Sequence, residues 1–366
     1  MKYKVLQICY GKIYPPYISA YALRVKNIIP DIDITVSTAG MIFHDQHFGN
    51  IKEYRSILLT IYSIFKRNRY LEIALSKGEF IRHKYIKDVQ NFIKDSDIII
   101  FEGLWQYNLF RDFVSKKFIV YDAHNVESNI RKNTKYYNYT FELEKELVER
   151  ANLVLTVSNE DYKTFKEEFN CKTVFLATHI LGNKIYSWEG MNSKNIVFIG
   201  SIYGPNIKAV NFIISIASEL PDFQFSIIGN VNLHRFSPVP KNVKFYGMIG
   251  EDEKNRILSS SIMALNPVFE GGGRNVKMVD YIMHGLPIIS TTIGVRGFSG
   301  YDLNGAIIVS DNIKEKLQEV VKNKELLKSL SENVYKLVNE IIQQEGSINT
   351  ESIIKKEYKK WKYLEQ

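Results

Sequence analysis

The chain has 366 residues, more than one ordinary hydrophobic core accommodates and suited to two domains of about 100–200 residues each. Hydrophobic residues make up 45% and charged residues 24%, a soluble globular balance that excludes a disordered chain, a collagen-like repeat and a membrane bundle. Lysine and arginine (48) exceed aspartate and glutamate (40) by +8, a modest excess that suits a polyanionic ligand or an anionic membrane surface without requiring either.

Val5–Cys9, Ile32–Ser37, Ile98–Phe101, Phe118–Tyr121 and Val154–Val157 are short runs rich in Ile, Val and Phe. Such runs predict strands buried on both faces of a parallel sheet. Between them, Tyr21–Ile29, Tyr54–Lys66, Ile81–Lys94 and Phe141–Arg150 have helical patterns. The alternation predicts an α/β fold with right-handed crossovers. Leu181–Lys194 is polar and glycine-containing, which reads as a linker. The alternation restarts with strands Ile196–Ile199, Phe223–Ile228, Val243–Phe245, Ile262–Leu265 and Ile288–Ser290, interleaved with helices Asn206–Glu219, Asp252–Ser259 and Asn275–His284. Residues 313–366 read as helices only, the last of them basic and aromatic. The expected organisation is therefore 1–180 as a first Rossmann-like domain, 181–194 as linker, 195–345 as a second and 346–366 as a helix returning to the first. Two such sheets facing each other would leave a cleft.

The two cysteines, Cys9 and Cys171, are too few for a disulfide framework and point to a reducing cytoplasm. The first residues lack the apolar core of a secretory signal, and Ile57–Phe65 is far short of the about 20 residues that span a bilayer. The expected place is the cytoplasm, with the inner membrane face as a further possibility.

The richest segment runs from Asn266 to Pro287. A strand ends at Leu265, Gly271-Gly272-Gly273 follows, and a helix is expected from Asn275. Bare glycines let main chain approach a ligand, and helix N–H groups favour an anion. Arg274 and Lys277 could add charge-assisted bonds to phosphate of about 1.5–3 kcal/mol each. Val276, Val279 and Met283 are expected on the core face; Lys277, Asp280, Tyr281 and His284 share another. Asp280 is placed for a ribose diol, with a solvent-facing ion pair to Lys277 as the plainer alternative. His284 reads as complementing the helix C-terminus.

On these residues the chain resembles the retaining family 4 glycosyltransferases of the GT-B fold, in a subgroup with a triple-glycine turn and a lysine on the following helix. Asp122-Ala123-His124-Asn125-Val126-Glu127-Ser128, Val157-Ser158-Asn159-Glu160-Asp161, Val197-Phe198-Ile199-Gly200-Ser201 with Gly204-Pro205-Asn206, and Pro15-Pro16 followed by Arg24 match further family stretches in order. The resemblance implies transfer of a sugar from a UDP- or GDP-linked donor, with retention, to a glycan or lipid-linked glycan, without metal or other cofactor. It implies surface polysaccharide or glycoprotein glycan assembly as the setting. The donor site it implies comprises Gly200, Lys208, Gly271, Gly272, Gly273, Arg274, Asn275, Val276, Lys277 and Asp280. His124 would meet the donor sugar as a catalytic residue, with Asp122 orienting it or ending the strand, and Tyr17 and Arg24 would lie on the acceptor side.

The departures are specific. The family's paired glutamates, with seven residues between them, become Gly272 and Asp280, and Glu270 stands two residues too early to replace the first. The arginine many relatives carry after the second domain's first strand is replaced by Ser201-Ile202, leaving Lys208, Arg274 and Lys277 as candidate cations. A nucleotide-sugar epimerase or hydrolase, and a non-catalytic glycan-binding subunit, remain alternatives. Asp31-Ile32-Asp33 and Asp95-Ser96-Asp97 precede strands, unlike the metal-binding motif of GT-A enzymes, and no dinucleotide or Walker glycine motif is present. The basic stretches are short and mixed with apolar residues, so no nucleic acid is expected as partner; an anionic membrane surface is the alternative use for them.

Overall fold

The computed structural model describes residues 3–11, 13, 20–28, 32–39, 45–58, 61, 71–79, 81–177, 184–346 and 348–364. They form two compact units, Met1–His179 with Ile348–Gln366, and Ile180–Ser347. Among the described residues no helix is long and apolar enough to cross a membrane.

The first unit is built on eight strands: β1 (Val5–Tyr10), β2 (Ile34–Ala39), β3 (Gln46–Phe48), β4 (Ile51–Arg55), β5 (Ile98–Glu102), β6 (Phe118–Ala123), β7 (Leu153–Thr156) and β8 (Val174–Leu176). Their order is β3-β4-β2-β1-β5-β6-β7-β8, parallel throughout except that β3 runs antiparallel to β4. Alternation sorts the side chains: on β5, Ile99 and Phe101 enter one core cluster, and Ile98 and Ile100 the opposite one. The second cluster is completed from the far end of the chain. Helix Thr350–Leu364 buries Ile354 and Tyr358 there, with Tyr358 edge-on to Phe118 at 5.6 Å.

The second unit has six parallel strands: β9 (Asn195–Ile199), β10 (Gln224–Ile228), β11 (Val243–Gly247), β12 (Met263–Asn266), β13 (Ile288–Ser290) and β14 (Ile307–Val309). Their order is β11-β10-β9-β12-β13-β14. On β12, Met263 and Leu265 face one core cluster and Ala264 the other.

Both sheets reverse their direction of growth once. The chain leaves β1 for β2 on one side and returns to β5 on the other; it leaves β9 for β10 and returns to β12. At such points the crossovers part, and ligands bind beyond the strands' carboxyl ends. The sites below lie at these two places.

Some expectations change. Tyr54 and Arg55, expected to open a helix, end β4, where Tyr54 turns inward to donate to Asp88. From residue 184 on, the expected linker is packed: Tyr186 N–H donates to Met283 O and Trp188 Nε1 to Ser261 O. A Cβ at Gly190 would collide with the Ser261 carbonyl, so the chain lies too close there for any other residue.

Candidate functional site

In the second unit β12 ends at Asn266, and the turn follows with Gly271 at φ 137° and Gly273 at φ 64°, conformations that side-chain-bearing residues avoid. Its helix is shorter than expected, Lys277–Met283, because Asn275 and Val276 form an irregular turn with Asn275 N–H donating to Arg296 O. Val276 and Val279 are only half-buried; Met278, Tyr281 and Ile282 join the expected Met283 on the core face. Tyr281 can be buried because its hydroxyl accepts the Ile199 N–H at 2.8 Å, the last amide of β9.

Helix Gly204–Ala217 enters on Pro205 beside that strand end. A Cβ at Gly229 (φ 105°) would collide with Gly200 O, so these glycines let the carboxyl ends of β9 and β10 close together. From the helix, Asn206 Oδ1 accepts the Lys277 amine at 2.6 Å, which also lies 4.2 Å over the Phe198 ring. No carboxylate pairs with that amine among the described residues. Burial alone pushes Lys277 down to about 7. Lys208, two residues beyond Asn206, pairs with Glu270 at 2.6 Å; both are exposed, and such pairs contribute about 0–1 kcal/mol. Gly200, Lys208, Gly271 and Lys277 are thereby brought to one strand-end region.

Asp280 does not pair with Lys277. Its Oδ1 takes Lys254 at 2.9 Å from helix Glu251–Ser259. Burial works against the Lys254 charge, but Asp280 and Glu251 outweigh it and hold its pKa up. His284 is buried, stacked on Tyr186 at 4.2 Å and bonded to Asp280 O at 2.7 Å. Burial lowers its pKa, so at neutral pH it is an uncharged packing residue and does not complement the helix end as a cation.

Arg274 is a correction. Its guanidinium turns inward, 2.6 Å from Glu345 and 4.4 Å over Phe298, with both partners of the ion pair almost wholly buried. Gly297 (φ 87°) clears the space, since a Cβ there would press on the Arg274 side chain. Tyr301 donates to the same carboxylate at 2.7 Å. Arg274 ties the turn to helix Lys324–Glu345, and its guanidinium is buried away from any phosphate.

In the first unit the switch point between β1 and β5 gathers Glu102, Asp122, His124, Arg24 and Gln7. His124 Nε2 lies 2.9 Å from Glu102 Oε2 and 3.6 Å from Asp122 Oδ2, and its ring is 4.7 Å from Tyr21. Gln7 Nε2 donates to Glu102 Oε1 at 2.6 Å and to Val25 O at 2.8 Å. Arg24 grips both oxygens of Asp122, its Nε at 2.7 Å from Oδ2, and reaches Ala177 O at 2.6 Å. This corrects the expectation for Arg24, which is 3% exposed and spent on Asp122, not turned to an acceptor. Asp122, 0% exposed, stands near the end of β6 beneath His124. Tyr17 lies outside the described residues. Glu102 was not singled out in the sequence; the available signal was a carboxylate directly after a wholly apolar strand run. Burial, with the Asp122 charge behind it, pushes Glu102 up to about 7. Burial would raise Asp122 too, but Arg24 outweighs it and holds the carboxyl below its usual range. Glu102, Asp122 and His124 are close enough to suggest metal ligands, but both Asp122 oxygens already serve a guanidinium.

Residues 193–323 match the model of a family described as glycosyl transferases group 1. An uncharacterized glycosyltransferase of Methanocaldococcus jannaschii is 22% identical over 90% of this chain and 92% of its own. An uncharacterized 44.6 kDa protein in the cps region of Klebsiella pneumoniae is 20% identical over 46% of this chain and 48% of its own. Among solved structures, Anabaena HepE in complex with UDP and glucose superposes with a TM-score of 0.67 at 10% identity, covering 94% of this chain and 98% of that one. Sucrose-phosphate synthase from Thermosynechococcus elongatus gives 0.65 at 12%, covering 98% of both. TarM gives 0.59 at 14%; this chain covers 56% of that longer one and is itself covered for 74%. The fold is GT-B, and the comparisons together support a glycosyltransferase.

Proposed function

We propose that the chain is a retaining glycosyltransferase that moves a hexose from a UDP- or GDP-linked donor to a glycan or lipid-linked glycan, without a metal. The observation behind this reading is Lys277. An amine buried with an amide oxygen and an aromatic face for company, and no carboxylate among the described residues, is poorly solvated until an anion arrives. It stands beside a turn whose glycines admit main chain to a ligand, at the carboxyl end of a parallel sheet where the order reverses. A diphosphate supplies the missing charge, and Lys208 supplies a second cation once it leaves Glu270. Gly272, Gly273, Asn275 and Val276 line the approach, and Asp280, steadied by Lys254, is the candidate for the ribose. Stabilising the departing diphosphate is the main electrostatic demand of the reaction.

HepE, whose fold the chain shares, has been solved with UDP-glucose, which supports a nucleotide-sugar donor. The relative in a cps region supports surface polysaccharide assembly as the setting. The exposed Lys356, Lys359 and Lys360 of the last helix favour a cytoplasmic protein that meets a lipid-linked acceptor at an anionic membrane face. The test is a single-turnover assay with UDP- and GDP-sugars. Donor consumed only when acceptor is present supports transfer. Donor consumed equally without acceptor supports an epimerase or hydrolase. No binding at all supports a non-catalytic subunit.

A further inference from the structure

We infer that Glu102 and His124 share one proton, so that His124 turns an N–H donor outward at neutral pH, and that Glu102 is the positioning residue that fixes this state. Charges must balance in this closed space. Four ionisable groups touch here: Arg24, Asp122, Glu102 and His124. Arg24 and Asp122 cancel. Glu102 is 1% exposed, and an uncompensated carboxylate at that depth is too costly to persist.

Among the described residues nothing else nearby supplies a cation. From β1 come the Gln7 amide, which is neutral, and the Cys9 thiol; from helix Ala20–Asn27 comes the Tyr21 phenol, whose hydroxyl accepts Tyr10 N–H and donates to Glu102 O. Burial pushes both the thiol and the phenol up, so both are uncharged. Glu53, the next carboxylate of the sheet, has its own partner in Arg55. The Glu102 charge is therefore cancelled within the pair, by a proton on the carboxyl or on the imidazole.

Both arrangements satisfy the 2.9 Å contact between Nε2 and Oε2. Where the carboxyl holds the proton it donates to Nε2, and the ring's own proton sits on Nδ1. Where the ring holds it, both nitrogens are protonated. In both of these arrangements Nδ1 bears hydrogen, and no partner for Nδ1 is found among the described residues. His124 is then a donor to a ligand oxygen at neutral pH and is not available as a base. A Glu102 proton given to Asp122 instead would leave Nδ1 bare, and the test below tells the two apart. The proton count stands on this unit alone; its use toward a sugar hydroxyl rests on the transferase reading.

The test is ¹⁵N NMR of the histidine rings in the full chain, with the His124 signal assigned by its loss in His124→Gln. At pH 7 the Nδ1 shift should be that of a protonated nitrogen. Glu102→Gln mimics the protonated carboxyl and should keep that shift and most of the turnover. Glu102→Leu, which leaves Nε2 without a partner, should move the proton toward Nε2, the usual preference of free imidazole, with lower kcat and little change in donor KM. An unprotonated Nδ1 in the wild type overturns the inference. So does a Glu102→Leu ring that matches the wild type. Should that variant not fold, the wild-type shift and Glu102→Gln decide alone. Absence of transfer with every donor would end the transferase reading and leave the proton count standing.

Discussion

Lys277 reaches away from its own helix to Asn206, 2.6 Å from the amide oxygen, and leaves Asp280 one turn on to Lys254. The simplest alternative for that helix face, an i,i+3 ion pair in solvent, is therefore not formed. Two residues that look like partners in the sequence are divided between two other elements, and the division leaves one amine without a counter-charge.

Nucleotide affinity should depend on pH through that amine. Free, Lys277 loses its proton near 7; a bound diphosphate favours the charged form and raises its pKa. Binding then takes up a proton, so affinity is greatest below about 7 and falls as pH rises, by up to about tenfold per unit until the bound pKa is reached. Calorimetry of UDP between pH 7 and 9, in buffers of different ionisation enthalpy, reads both the slope and the proton. Lys277→Met should flatten the slope.

The same substitution should stabilise the unliganded protein. A lysine whose pKa is depressed by folding binds fewer protons folded than unfolded between about 7 and 10.5, so stability rises with pH across that window and the full cost is present below it. Removing the charge should raise the melting temperature at pH 6.5 by about 2–4 °C, for about 1 kcal/mol regained. Differential scanning calorimetry without nucleotide checks the sign.

Arg274→Ala should act on stability and not on phosphate recognition. It strands Glu345 with an uncompensated buried charge, a change that costs about 3–5 kcal/mol. Urea denaturation should show the loss. Lys208→Ala should leave the urea midpoint nearly unchanged and weaken nucleotide binding instead.

Glu144 sets a pH dependence in the first unit. Wholly buried, it accepts from Tyr121 Oη at 3.0 Å and from the Glu127 and Ser128 amides at 2.9 Å, and burial pushes it up to about 7. The folded state then binds more protons than the unfolded one between about 4.5 and 7, so this contribution is present below 4.5 and lost as pH rises through 7, by up to about 3 kcal/mol. Glu102, also raised to about 7, adds in the same direction. Glu144→Gln should shrink the decline in stability between pH 5 and 7.5.

The two parallel sheets were legible because strands buried on both faces leave unbroken apolar runs, as in Ile98–Phe101 and Ile262–Leu265. β3 and β4 leave no such run, β8 and β14 leave only the short runs Val174–Leu176 and Ile307–Val309, and Tyr54-Arg55 looks helical because each polar group there finds a buried partner elsewhere in the fold. In the candidate site, the glycine turn and Lys277 were legible from local spacing. The fate of Arg274 was not, since it depends on Glu345, far along the chain, arriving beside Phe298. Arg24 escapes the sequence for the same reason: half of a buried ion pair looks, in sequence, like a polar residue open to a ligand.

The most direct measurement is titration of the chain with UDP, GDP and their sugars by calorimetry, alongside Lys277→Met and His124→Ala. The account predicts that at least one nucleoside diphosphate binds, that Lys277→Met weakens it by about 10–100-fold, the loss of one charge-assisted contact of about 1.5–3 kcal/mol, and that His124→Ala leaves it unchanged. Equal affinity in the wild type and Lys277→Met, or no affinity for any of them, would contradict it.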